Sequence, residues 1–242
     1  MRWATTLSLL AIAGQAVAYG LAVLLARYLD VEAFETYAVA SALFILMVPL
    51  VLQGLDKYAL QLLPALVERA EWGGVRAYLR WGLRRTVVAS LLVGGLVGGW
   101  AWWFSAWPTA TRLAWVACGL SLPAGALVHF GHEALSALGR AFAATVVFRL
   151  AVPGMALGVF YVWQLGAYAP TGAMAVGSWG LAWLLALCLV AWQLRQVVPG
   201  AGGTESLHPD GPAWLARARP FWTYRMAQVA LAQMGILGLH AL

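Results

Sequence analysis

Apolar residues fill this chain in long unbroken runs separated by short polar stretches, and those runs set the expected elements. Six of them cover about Thr5 to Ala26, Thr36 to Leu55, Thr86 to Trp107, Ala110 to His132, Ala141 to Gln164 and Thr171 to Arg195. A helix of roughly 20 residues rises about 30 Å, which matches the hydrocarbon core of a bilayer. Because the runs are continuous rather than alternating, a transmembrane β-barrel is excluded. The expected architecture is an all-α integral membrane protein with six transmembrane helices forming one lobe over residues 1–198. A cytoplasmic linker rich in Pro, Gly, Ser and Asp is expected over 199–215, and the start of a second lobe over 216–242. There a partial seventh run begins near Pro220, a residue suited to the first turn of a helix. It reaches Leu242 without a polar tail, as expected of a chain cut short inside a helix.

Asp56 to Arg85 is the most polar segment, yet Leu60, Leu63, Leu66 and Val67 recur at helical spacing. An interfacial helix broken near Gly73-Gly74 is predicted there. Trp100, Trp102, Trp103 and Trp107 close the third run as an aromatic anchor. Ala16-Val17-Ala18 resembles a cleavage site, but the apolar run continues to Ala26, so spanning is expected instead.

Composition narrows the class further. Hydrophobic residues make up 63% and charged residues 10%, with mean hydropathy +0.79, which excludes a soluble globular domain and a disordered chain. The 15 Lys and Arg against 9 Asp and Glu give +6, and their placement reports membrane orientation rather than a nucleic-acid partner. With the N-terminus inside, Arg2, Lys57, Arg69, Arg76, Arg80, Arg84, Arg85, Arg140, Arg195, Arg217 and Arg219 fall on the inner side, 11 of the 15. Arg27 and Arg112 fall outside, while Arg149 and Arg225 lie within runs. That asymmetry predicts a multi-pass protein of the cytoplasmic membrane with a cytoplasmic N-terminus.

Few residues can carry chemistry. Arg149 lies nine residues beyond Arg140, about 13 Å deeper along its helix, where a charge needs a cavity or a partner. Thr145 and Pro153 flank it at four-residue spacing, and Pro153 offers no N–H to the Arg149 carbonyl. Thr5, Ser8, Gln15 and Tyr19 share one side of the first helix, as cavity lining or helix-to-helix glue. Arg27 sits at its outer end, either snorkelling or facing the cavity mouth. Arg76, Arg80 and Arg84 form a basic stripe that suits anionic lipid headgroups or a diphosphate. Asp56 and Lys57 read as a solvated helix boundary, and His129, His132 and Glu133 as a polar helix end without a zinc ligand set. Cys118 and Cys188 read as small core residues. No P-loop, Gly-x-Ser-x-Gly or paired catalytic carboxylates are present, so neither an enzyme nor a cofactor is expected.

Three stretches carry a resemblance: Arg27-Tyr-Leu-Asp-Val-Glu-Ala-Phe34-Glu-Thr-Tyr37; Gly54-Leu55-Asp56 followed by Leu62-Leu63-Pro64 and the basic run to Arg85; and Leu122-Pro123 with Ala134-Leu135-Ser136-Ala137-Leu138-Gly139-Arg140. Together they resemble the polysaccharide-biosynthesis, or lipid-linked oligosaccharide, flippases of the multidrug, oligosaccharidyl-lipid and polysaccharide exporter superfamily. The resemblance implies an N-terminal lobe of a transporter working by alternating access on a lipid-linked sugar. Arg149, Thr145, Gln15, Tyr19, Ser8 and Arg27 are then cavity candidates, and a polysaccharide polymerase or glycosyltransferase is an implied partner. The competing reading is a non-transporting membrane scaffold for polysaccharide-synthesis enzymes.

The orientation is open to a labelling test. In a background lacking Cys118 and Cys188, Thr109→Cys should react with an impermeant thiol reagent in intact cells and Thr204→Cys should not. The reverse pattern would invert the topology.

Overall fold

The computed structural model describes residues 2–103, 107–166, 170–200 and 210–240, with 2–4 and 235–240 described by their backbone alone. Thr204 and most of the expected linker therefore lie outside the described residues. All regular structure among the described residues is helical: α1 (Arg2–Tyr28), α2 (Val31–Leu52), α3 (Leu55–Glu68), α4 (Trp72–Trp103), α5 (Thr109–Leu135), α6 (Ala141–Val146), α7 (Val152–Leu165), α8 (Gly172–Val197) and α9 (Gly211–His240). A turn at Ser136–Arg140 joins α5 to α6, and a short π-helical segment, Val147–Ala151, joins α6 to α7.

Five stretches are long and apolar enough to cross a membrane: Thr5–Tyr28, Val31–Leu52, Trp72–Trp103, Thr109–Leu165 and Gly172–Val197. The protein is thus an all-α membrane protein, but the count differs from six and part of a seventh. One reason is that the expected fourth and fifth spans run together as a single 57-residue stretch. The other is that α9 holds Arg217, Arg219 and Arg225 within its length and does not qualify.

That 57-residue stretch does not run straight. Helical geometry fails at Leu138 (φ −88°, ψ 16°) and Gly139 (φ 81°, ψ 9°). Beyond this point Phe148 packs back on the preceding helix, its ring 4.6 Å from His129 and 4.9 Å from His132 between centroids. The chain therefore folds back around Gly139, which takes the left-handed conformation without a Cβ penalty.

Other boundaries also moved. The break in the polar segment falls at Ala70, not at Gly73-Gly74, which lie inside the first turn of α4. Ala70 (φ 58°) closes α3 in a Schellman motif, Glu71 N–H bonding the Leu66 carbonyl and Ala70 N–H that of Val67, both at 2.9 Å. Consequently α4 is one continuous rod of 32 residues, about 48 Å long. Helix α3 is amphipathic: it buries Leu55, Asp56, Tyr58, Ala59 and Leu63 on one face and leaves Leu60, Gln61, Ala65 and Glu68 exposed on the other. Asp210 caps α9 through a bond from Ala213 N–H (3.3 Å), so the helix takes in residues 211–215 and holds Pro220 in its interior. Cys118 is buried as expected, with its thiol 3.4 Å from the Ala40 carbonyl, whereas Cys188 faces outward on α8.

Helix α5 is the hub, with α2, α3, α4 and α8 packed around it. Its interior side meets an aromatic cluster in which Phe44 lies 4.3 Å from Trp179 and 5.8 Å from Trp183. Against α4 the approach is backbone to backbone. A Cβ on Gly94 would collide with the Gly119 carbonyl, and a Cβ on Gly119 with that of Gly94, whereas Gly95 next door faces open space.

That contrast gives an internal control. Gly94→Ala should lower the thermal unfolding midpoint of the detergent-solubilised protein by several degrees, while Gly95→Ala should leave it unchanged or slightly raised. Equal effects of the two would remove the close crossing from the account of stability.

Candidate functional site

Arg149 sits inside the π-helical segment Val147–Ala151. Pro153 cannot bond the Arg149 carbonyl, and the helix widens there, with the Val152 N–H reaching back to the Val147 carbonyl. The widened turn meets α1 at Gly14, where a Cβ would come within 2.5 Å of the Arg149 Cβ and 2.8 Å of its carbonyl oxygen. Glycine at that point lets α1 lie directly on the bulge. The Arg149 side chain is exposed, its guanidinium carbon 5.6 Å from the Phe148 ring centre, and it forms no ion pair among the described residues.

Ser8, Gln15, Tyr19 and Arg27 are also exposed on α1. The seam that α1 makes with the rest of the bundle runs through Gly14, Leu21 and Leu25, which are buried. Ser8, Gln15 and Tyr19 project roughly 100–140° around the helix from that seam. Gln15 and Arg149 consequently reach the same level of the bundle, with Ser8 and Tyr19 on turns to either side. Thr145 does not join them by a hydrogen bond. It is half-buried, and its hydroxyl donates to the Ala141 carbonyl of its own helix at 2.7 Å.

The expected basic stripe is split. Arg76 is partly buried and donates from Nη1 to the Pro199 carbonyl at 3.3 Å, while Arg80 and Arg84 remain exposed. Arg85 turns to Gln53, its Nε and Nη2 both donating to Oε1 at 3.0 and 2.7 Å.

A second polar cluster joins residues that look unrelated along the chain. Gln53 (φ 52°) and Gly54 (φ 79°) are both left-handed, and this turn swings α3 against α5. Asp56 in the first turn of α3 is thereby buried, correcting its reading as a solvated boundary. Burial pushes its carboxyl above the usual carboxylate range, with the Lys57 charge pulling the other way. Lys57 pairs with Glu133 of α5, and His132 Nδ1 stands 3.6 Å from the same carboxylate oxygen. Fully buried Tyr78 of α4 donates from its hydroxyl to the Leu55 carbonyl at 2.5 Å. From α9, Arg217 reaches the Tyr58 hydroxyl at 3.5 Å. The cluster ties α3 to α4, α5 and α9. Lys57 and Glu133 are 76 positions apart, and no local spacing announces their pairing.

Comparison with protein-family models, curated proteins and solved structures yields no match for this chain.

The ion pair lends itself to a double-mutant cycle. Lys57→Met and Glu133→Gln, each alone, should destabilise the protein by about 1–3 kcal/mol, since each leaves a polar partner behind. The double variant should recover part of that loss in thermal unfolding. Strict additivity would show that the two side chains do not stabilise one another.

Proposed function

We propose that this chain is the N-terminal lobe of a carrier that moves a lipid-linked sugar across the cytoplasmic membrane by alternating access. In this reading the hairpin that reverses at Gly139 crosses the bilayer twice, and the lobe comprises six crossings. The observation that carries it is Arg149: a guanidinium about a third of the way along the returning leg of the hairpin, without a carboxylate partner among the described residues, on a widened helical turn. A charge at that depth needs a polar surrounding, and π-bulges gather at functional sites. The exposed amide, hydroxyl and phenol of Gln15, Ser8 and Tyr19 on the adjoining helix supply donors and acceptors for sugar hydroxyls, which must find partners on leaving water. Arg149 supplies the forked charge that suits a diphosphate. The substrate class itself comes from the resemblance of the three sequence stretches.

A photoreactive polyprenyl-diphosphate sugar in vesicles tests this directly. The purified chain should be labelled on α1 and on residues 141–165. Arg149→Ala should reduce that labelling roughly tenfold or more, with Arg149→Lys intermediate, because Lys keeps the charge but not the fork. Unchanged labelling in both variants, with normal insertion, would remove Arg149 from the substrate path.

A further inference from the structure

The arginines at the start of α4 open into a groove of about 690 Å³ bounded by Gln53, Arg80, Trp81, Arg84 and Arg85 and continued by Val88 and Leu92. Its α4 wall consists of two adjacent ridges at four-residue spacing, one running Arg80, Arg84, Val88, Leu92 and the other Ala77, Trp81, Arg85, Ala89. The first ridge changes from charged to apolar after Arg84, and the second adds Arg85 beside that change and is apolar beyond it at Ala89. From Arg84 to Leu92 the helix rises about 12 Å, so the groove has a cationic mouth and an apolar floor within the length of one lipid headgroup and the start of its chain.

The mouth is built rather than incidental. Arg85 is held by the two bonds to Gln53, and its guanidinium carbon lies 5.7 Å over the Trp81 ring centre. Gln53 is fixed in turn by the left-handed turn after α2. None of the three arginines forms an ion pair among the described residues, and no acidic residue lines the groove. Three guanidinium groups within six residues of one helix repel one another, and an anion between them relieves that repulsion through charge-assisted bonds. Free phosphate would use only the mouth. Val88 and Leu92 are 58% and 65% exposed directly beyond it, where a chain attached to the phosphate could lie and free phosphate could not reach.

We propose that this groove is a binding site for an anionic phospholipid, with the phosphate between Arg80, Arg84 and Arg85 and an acyl chain along Val88 and Leu92. It is a site apart from the Arg149 face and holds whether or not that face carries substrate.

The test uses the purified chain in nanodiscs of mixed phosphatidylcholine and phosphatidylglycerol, with the lipids that remain bound after release counted by native mass spectrometry. Wild type should retain phosphatidylglycerol in preference to phosphatidylcholine. Arg80→Gln with Arg84→Gln should cut that retention at least roughly tenfold, and Lys at both positions should restore part of it. Val88→Asn with Leu92→Asn should weaken retention as well, and millimolar inorganic phosphate should not displace the lipid. Arg195→Gln, at the end of α8, should change nothing. Equal retention of the two lipids, or indifference to the Arg80 and Arg84 variants, would overturn the site. Displacement by inorganic phosphate with indifference to the Val88 and Leu92 variants would overturn the lipid as its occupant.

Discussion

Two apolar helices surrounded by lipid gain almost nothing by hiding from it, because acyl chains are as apolar as leucine. What holds such helices together is the dispersion energy of close contact, which depends on how near their axes can come. Here that limit acts most sharply at the crossing of α4 with α5, where Gly94 and Gly119 place carbonyl against backbone. Because α5 presents small residues to its neighbours, four helices pack around it, and every other feature of the bundle is hung from that arrangement. The same logic lets α1 rest on the Arg149 bulge through Gly14.

Polar groups are placed where this packing relents. The middle of the bundle is aromatic, with Phe44, Trp179 and Trp183 in contact, whereas the charged cluster gathers at the end where α3 docks. Asp56, Lys57, Glu133 and Tyr78 meet there because the left-handed pair Gln53 and Gly54 redirects the chain between α2 and α3. Arg149 stays on the periphery, which keeps its charge available to whatever lies against α1.

Much of the helical layout could be read in advance from runs of apolar residues, since length and continuity are all that crossing a bilayer demands. Three features were hidden for different reasons. Ala70 takes a left-handed turn where glycine is the usual occupant, so Gly73-Gly74 drew the predicted break three residues too late. Asp56 and Lys57 have the local signature of an exposed helix end, and only the fold places Glu133 beside them. Cys188 and Cys118 lie in equally apolar runs, and rotation about the helix axis alone makes one buried and the other exposed. Among the candidate site residues, the level shared by Arg149 and Gln15 follows from Gly14 and Pro153, whereas the hydroxyl of Thr145 is taken up by its own helix.

The unbroken length of α4 sets how the protein rides in its membrane. Trp102 lies seventeen positions beyond Arg85, a rise of roughly 26 Å, so one rigid rod carries cations at one interface and exposed tryptophans at the other. Neither end can leave its own interface without exposing charge to hydrocarbon or indole to bulk water. A bilayer thinner or thicker than that interval must therefore be met by tilting α4 or by deforming the lipid, at a cost of a fraction of a kcal/mol per Å. Since α5 is locked to α4 by backbone contact, the tilt of α4 is imposed on the hub, and membrane thickness becomes a mechanical variable for the whole bundle.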